Sequence, residues 1–360
     1  MSLDPGRFAE LLCGYCLDVR AGQQILVRST TAAAPLLLAL QRAILERDAW
    51  PLLRTELPGE IAAFYEHARD VHLDDVPKLA VDEAKRIDAS LGIQAPVDAY
   101  ELAGVDPSRI ARLARARKEV RERTMEKRWC TTLWPTEAAA ERAGLPLAEF
   151  EAFVERALFL DQPDPVRSWR ELSAFQAGLI ERIGAAREIR IEAEGTDLTL
   201  SVRGRRWVNS DGKRNMPSGE VFTGPVEDSA NGTIRFGIPS GPEGRAVSGV
   251  ELTFRDGEIV AARAEEGDEH LQAALATDDG ARRLGELGIG TNFGIDRPVG
   301  AILFDEKIGG TVHLAIGRSY PETGGRNTSA VHWDMICDLR PGGRITADGA
   351  VISQDGRFVV

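Results

Sequence analysis

Hydrophobic and polar positions follow two different rhythms along the chain. In the first half, apolar residues recur three and four apart over residues 6–19, with Gly22 closing the run, and again over Pro35–Arg47. Two compact apolar stretches, Gln24–Ser29 (QILVRS) and Trp50–Thr55 (WPLLRT), read as short strands. Helices and strands in alternation predict an open, largely parallel sheet. Thr136 is placed to cap a following helix, Leu147–Leu160 is a further helical run, and Gln162-Pro163-Asp164-Pro165 breaks the chain before another helix over Val166–Ile183. No G-x-G-x-x-G follows the first strand, so a dinucleotide site has no support.

The period changes near residue 186. IRIEA, TDLTLSV and RWVNS alternate with period two, and GTIRFGI, VELTFRDGEIVAARA, GTVHLAI, AVHWDMI and the terminal RFVV continue the pattern. Arg255-Asp256-Gly257-Glu258 reads as a hairpin turn. Residues 270–287 (HLQAALATDDGARRLGEL) read as the one clear helix interrupting these strands. The expectation is an α/β protein of two domains: an open, largely parallel α/β domain over residues 1–185, then a mostly β (α+β) domain over 186–360. A length of 360 residues suits two domains.

Composition narrows the partners. A 43% hydrophobic fraction supplies ample core, and a net charge of −12 argues against nucleic acid or an anionic membrane as the main partner. The charged run at residues 109–127 interleaves Glu119, Glu122 and Glu126 with its basic residues, which reads as a solvated helix rather than a binding arm. The N-terminus lacks a basic start followed by an apolar stretch, and AAAPLLLAL is too short to span a bilayer, so a cytoplasmic location is expected. Four cysteines form no disulfide framework. Cys13 and Cys16 make a C-x-x-C, read as two small apolar residues of a helix near Leu11, Leu12 and Leu17 in preference to a redox pair or half a zinc site.

Candidate chemistry concentrates in the second half. Five histidines occur, His67, His72, His270, His313 and His332, and the last two lie in strand-like segments. In Val331-His332-Trp333-Asp334-Met335, His332 and Asp334 share one strand face while the apolar residues take the other. That places an imidazole beside a carboxylate, as part of a metal site or as a hydrogen-bonded surface pair. His313 sits in an apolar strand behind Asp305, Glu306, Gly309 and Gly310, where two glycines permit a close backbone approach. Glu220 and Glu286 are each surrounded by glycines and aliphatic residues, and a buried carboxylate must be paired, protonated or metal-bound. Arg282 or Arg283 offers a salt-bridge alternative. Three carboxylates and two imidazoles (Glu220, Glu286, His313, His332 and Asp334) suit two divalent ions better than one, with one carboxylate bridging. Glu306 is then a candidate base and Tyr320 a candidate oxyanion donor.

The stretches NMPSGEVFTGPVED, LGELGIGTN, LFDEKIGGTVHLAIG, SYPETGG and SAVHWDMICDL, in this order, resemble the aminopeptidase T/aminopeptidase S metallopeptidases. WPTEAAAE and EGTDLTLSV extend a looser likeness toward the N-terminus, so that it covers essentially the whole chain. The resemblance implies Glu220, Glu286, His313, His332 and Asp334 as metal ligands in the 186–360 domain, with Glu286 as the bridge. It makes Tyr320 the catalytic tyrosine and Glu306 a base or a further ligand. It also implies two divalent ions, drawn from zinc, cobalt, manganese or magnesium, and release of N-terminal residues from small peptides by a homodimer with an enclosed cavity. Two other readings compete: a mononuclear iron ring-cleaving dioxygenase of the 2,5-dihydroxypyridine type, which needs only a His and the H-x-D pair, and a non-catalytic metal- or peptide-binding protein.

Overall fold

The computed structural model describes residues 3–98, 101, 102, 104–241 and 247–359. The chain forms two compact units: residues 1–166 with 212–217, and residues 167–211 with 218–360.

The first unit is built on a parallel sheet. Trp50–Glu56, Gln24–Thr30, Ala89–Gln94 and Arg128–Leu133 lie side by side in that order, and the short Asn215–Met216 strand adds to the last. The Ala34–Leu45 helix buries Leu36, Leu40 and Ile44, residues four apart on one stripe. Asp4 caps the Pro5–Leu11 helix by accepting from the Gly6 and Arg7 amides. The helix then passes into a π turn over Leu12–Cys16, where Cys13 and Cys16 are buried among leucines. Burial pushes the Cys13 thiol up to about 12, the opposite of what a redox nucleophile requires. All four cysteines are buried and outside any disulfide.

The charged run folds as two helices, Pro107–Ala116 and Lys118–Met125, meeting at Arg117. Lys118–Glu122 and Arg123–Glu119 pair four residues apart along its exposed surface. Thr136 caps the Glu137–Arg142 helix through the Ala139 amide, 3.2 Å away.

The second unit holds two antiparallel sheets. The larger runs Glu258–Arg263, Val250–Arg255, Asn231–Phe236, Thr196–Ser201, Glu188–Ala193, Arg344–Ala347, Ala350–Gln354 and Arg357–Phe358. Val360, the last residue of RFVV, lies outside the described residues. Asp256 and Gly257 both take positive φ (48° and 78°), the hairpin geometry that their sequence predicts. The smaller sheet runs His332–Asp338, Thr311–Gly317, Leu284–Gly290, Glu220–Thr223 and Val208–Ser210. Its inner face supplies Val221, Leu287, Ile289, Val312, Leu314, Ile316, Trp333 and Met335 to one core shared with the larger sheet and with Leu179 and Ile183 of the Pro165–Ile183 helix.

One expected element is corrected. The helix read over residues 270–287 is a helix only over Asp268–Leu275; a 3-10 turn follows at Asp279–Arg282, and Leu284–Gly290 is a fully buried strand. Glycines at 285, 288 and 290 disfavour a helix there, and a strand covered on both faces carries no clear alternation to betray it.

Candidate metal centre

The site stands on the outer face of the smaller sheet. Strand alternation puts Glu220 and Phe222, Glu286 and Gly288, His313 and Ala315, and His332 and Asp334 on this one face, opposite the core-facing residues. The register sets each large polar side chain across from a small residue. Glu220 pairs with Gly290, His313 with Gly288, Asp334 with Ala315, and His332 with Gly317. Space above the small residues lets the polar groups lean together. A Cβ at Gly288 would come within 2.1 Å of His313 Nε2, so the imidazole occupies the volume that any other residue there would fill.

The imidazoles and carboxylates converge at spacings wider than ordinary hydrogen bonds. His313 Nε2 lies 3.4 Å from Glu220 Oε2 and 3.7 Å from Glu286 Oε1. His332 Nε2 lies 3.4 Å from Glu286 Oε2 and 3.6 Å from Asp334 Oδ2. Glu286 thus turns one oxygen toward each imidazole. Both ring nitrogens of His313, Glu220 Oε2 and Asp334 Oδ1 are buried with no hydrogen-bond partner among the described residues. A buried polar atom left so costs about 1–3 kcal/mol, and four in one cluster call for a further partner. Two ligands bonded at about 2.0–2.2 Å to one tetrahedral ion stand about 3.3–3.6 Å apart, close to the spacings between these atoms. Ligand atoms gather in two groups, Glu220–Glu306–His313 and Glu286–His332–Asp334, each within 4.8 Å. The donor set, all carboxylate and imidazole, fits divalent cations.

Neighbouring backbone fixes the ligands. His332 Nδ1 donates to the Arg318 carbonyl at 2.8 Å, which turns Nε2 toward the carboxylates. Arg318 comes that near because the strand bulges between Leu284 and Glu286, and a Cβ at Gly285 would stand 2.3 Å from the Arg318 oxygen. The Ser319 hydroxyl donates to the Gly285 carbonyl, and the Thr323 hydroxyl to the Tyr320 carbonyl, which staples the Tyr320 loop to the Glu286 strand. The Tyr320 ring lies between Phe222 (5.6 Å between centroids) and His332 (5.0 Å), with its hydroxyl 3.3 Å from His332 Nε2. The Glu220 carbonyl accepts from the Gln176 side chain at 2.7 Å.

Electrostatics follow from burial and proximity. Burial pushes the Glu220 and Asp334 carboxyls up, to about 7 and about 6, with Glu306 adding to the push on both. Burial also pushes Glu286 up, but His313 and His332 outweigh it and draw that carboxyl down to about 2. The same contacts overcome burial at the imidazoles and raise His313 to about 10 and His332 to about 9. Burial and the surrounding carboxylates push the Tyr320 phenol well up, which keeps it a proton donor.

All seven candidate residues therefore meet in one place. His67 and His270 instead lie beside glutamates elsewhere, and His72 accepts from the Arg69 amide. The sequence reading missed Lys307. Its side chain is fully buried, with Nζ contacting the Glu306 carboxylate and lying 3.5 Å from Glu220 Oε1. A lysine between Phe304 and Ile308-Gly309-Gly310 was the available signal. Gly288 and Phe222 were also missed, although glycine two residues beyond Glu286 marks a place where something must lie close.

Comparison with known proteins gives the family and the fold. Aminopeptidase 2 of Geobacillus stearothermophilus is 32% identical, over 95% of this chain and 94% of its own length. A solved structure of wild-type AmpT from Thermus thermophilus superposes with a TM-score of 0.85 at 25% identity, covering 99% of each chain. A 2,5-dihydroxypyridine dioxygenase from Pseudomonas putida shares the fold, with a TM-score of 0.60 at 15% identity over 99% of this chain and 97% of its own. The family model for thermophilic metalloproteases (M29) matches residues 4–358, and the chain belongs to that family.

Proposed function

We propose that the protein is a dinuclear metallo-aminopeptidase that removes N-terminal residues from small peptides. The observation that carries this reading is the pair of ligand groups sharing one buried cluster, with Glu286 reaching both imidazoles. Glu220 and His313 would hold one ion, and Glu286, His332 and Asp334 the other, with Glu286 as the bridge and Glu306 beside the first ion as the base. Held by these residues, divalent ions would supply a Lewis acid for the scissile carbonyl and a bound water acidic enough to react at neutral pH.

The chain's own groups do the rest. The buried carboxylates provide a counter-charge for the free α-amine of the peptide and so fix which bond is presented. Glu306, at the mouth of one ligand group, takes the proton of the attacking water and passes it to the departing amine. Tyr320 donates its hydroxyl proton in a hydrogen bond to the developing oxyanion. Its loop is stapled by Ser319 and Thr323, so the donor is in place before the reaction begins. The native ion is drawn from zinc, cobalt, manganese or magnesium, and the enzyme works as a cytoplasmic homodimer.

The dioxygenase reading needs one ion and three protein ligands. It leaves buried Glu220 and half-buried Glu306 without a role, and the likeness to the solved dioxygenase extends to the fold alone. A panel of aminoacyl-p-nitroanilides, tested on chelator-stripped protein reloaded with each of the four metals, decides the matter. Release of p-nitroaniline only after reloading is expected. Iron uptake with oxygen consumption on a hydroxypyridine, and no hydrolysis, would replace the reading; tight metal binding with neither activity would leave the protein a binding module.

A further inference from the structure

Lys307 is 0% exposed, and an ammonium persists in such a place only with opposite charge around it. Its neighbours are Glu306, in direct contact, and Glu220, 3.5 Å from Nζ. The backbone gives it no freedom to withdraw. Its amide donates to the Phe304 carbonyl at 2.9 Å, and its carbonyl accepts from the Asn292 amide at 3.1 Å. The next turn is tied to the same asparagine, because the Gly309 amide donates to the Asn292 carbonyl at 2.9 Å. A cation thus stands permanently on the two carboxylates that, with His313, form one of the two candidate ligand groups.

A fixed positive charge beside a divalent-ion site repels the ion, so lysine is a poor choice if affinity alone matters. It is a good choice if the site must be assembled before the ion arrives. Buried Glu220, Glu286 and Asp334 and half-buried Glu306 bring four carboxylates into one cluster, and like charges in a low dielectric drive one another apart. Lys307 supplies a counter-charge that the protein itself encodes.

We propose that Lys307 is a resident counter-cation, a positioning residue that holds Glu220 and Glu306 in place around the site and stabilises the metal-free fold at the expense of metal affinity. The inference rests on the metal-site reading above. Lysine and metal act on the same oxygens, so whatever factor the lysine adds to the stability of the metal-free state is taken from metal binding.

The test uses the full chain, stripped with chelator, in the native form and as Lys307→Met and Lys307→Arg. Zinc affinity is read by competition with a chelating dye, and Tm is read with EDTA and with saturating zinc. Lys307→Met keeps the length of the side chain and removes its charge. It should melt well below the native protein in EDTA, recover most of that difference with zinc, and bind zinc at least tenfold more tightly. Lys307→Arg should stay near native in both measurements. An equal loss of Tm in both conditions, or zinc binding no tighter than native, overturns the proposal, since a purely structural lysine behaves that way. Lys307→Met protein that folds only when zinc is supplied supports it, and failure to fold even with zinc overturns it. A native chain that takes up no zinc, cobalt, manganese or magnesium defeats the metal-site reading instead, before any variant is compared.

Discussion

The imidazole of His313 lies directly over Gly288 of the adjacent strand, close enough that a Cβ there would meet Nε2 at 2.1 Å. The backbone around both residues is rigid sheet, so the ring and a larger residue cannot both be accommodated. Gly288→Ala should displace the ring, lower metal affinity by about 10–100-fold and remove most peptidase activity. Metal content by mass spectrometry together with Tm in EDTA checks this. Lost metal in protein that still folds, with Tm in EDTA lowered to match the cost of about 1–3 kcal/mol for overpacking a buried strand, is the expected pair of results.

Glu286 places one carboxylate oxygen near each imidazole, 3.7 Å from His313 and 3.4 Å from His332. Glu286→Gln keeps the shape but replaces one oxygen with an amide nitrogen that cannot bind a cation. Turnover should be abolished and metal content should fall. Full activity with near-native metal in this variant would remove the bridging role.

Much of this centre was readable before any coordinates. The His332 and His313 strands show period-two and apolar patterns strong enough to place their ligands on one face, and the H-x-D spacing alone aligns His332 with Asp334. The helical pattern of Leu271 and Leu275 extends no further than the first half of residues 270–287, and the Glu286 strand, buried on both faces, shows no alternation that would mark it as a strand. The role of Glu286 was still recoverable from chemistry, since a carboxylate among glycines and aliphatic residues has to be compensated. Sequence marks Lys307 and Gly288 as unusual, but the partners of these two residues and of the Arg318 carbonyl are not legible in it. What each does depends on which strands lie next to one another, and pairing across the sheet is a long-range property.

Tyr320 carries a hydroxyl 3.3 Å from His332 Nε2 on a loop held by Ser319 and Thr323, and it contacts neither of the buried glutamates through a hydrogen bond. Tyr320→Phe should therefore retain metal while lowering kcat by about 10²–10³-fold, the usual effect of losing one oxyanion donor. Unchanged kcat on an aminoacyl-p-nitroanilide would remove the tyrosine from the mechanism.

Protons and metal ions compete for His313 and His332, which the carboxylates raise to about 10 and about 9. Below pH 9 the stripped site holds protons on these rings that metal must displace. Metal uptake at pH 7.5 should therefore release protons, and affinity should rise with pH until about 9–10, where no ring proton remains to be displaced. Calorimetry in two buffers of different ionisation enthalpy measures the number released. Zero release at pH 7.5 would show the imidazoles already neutral.

The central claim is that two ions, one in each ligand group, work together on one peptide bond. Stepwise reloading of chelator-stripped protein with zinc or cobalt, following hydrolysis of an aminoacyl-p-nitroanilide against metal bound per chain, tests it most directly. Activity that rises only as the second equivalent binds and saturates at two is the predicted result. Activity that is complete at one equivalent, or absent at two with every metal tried, would contradict it.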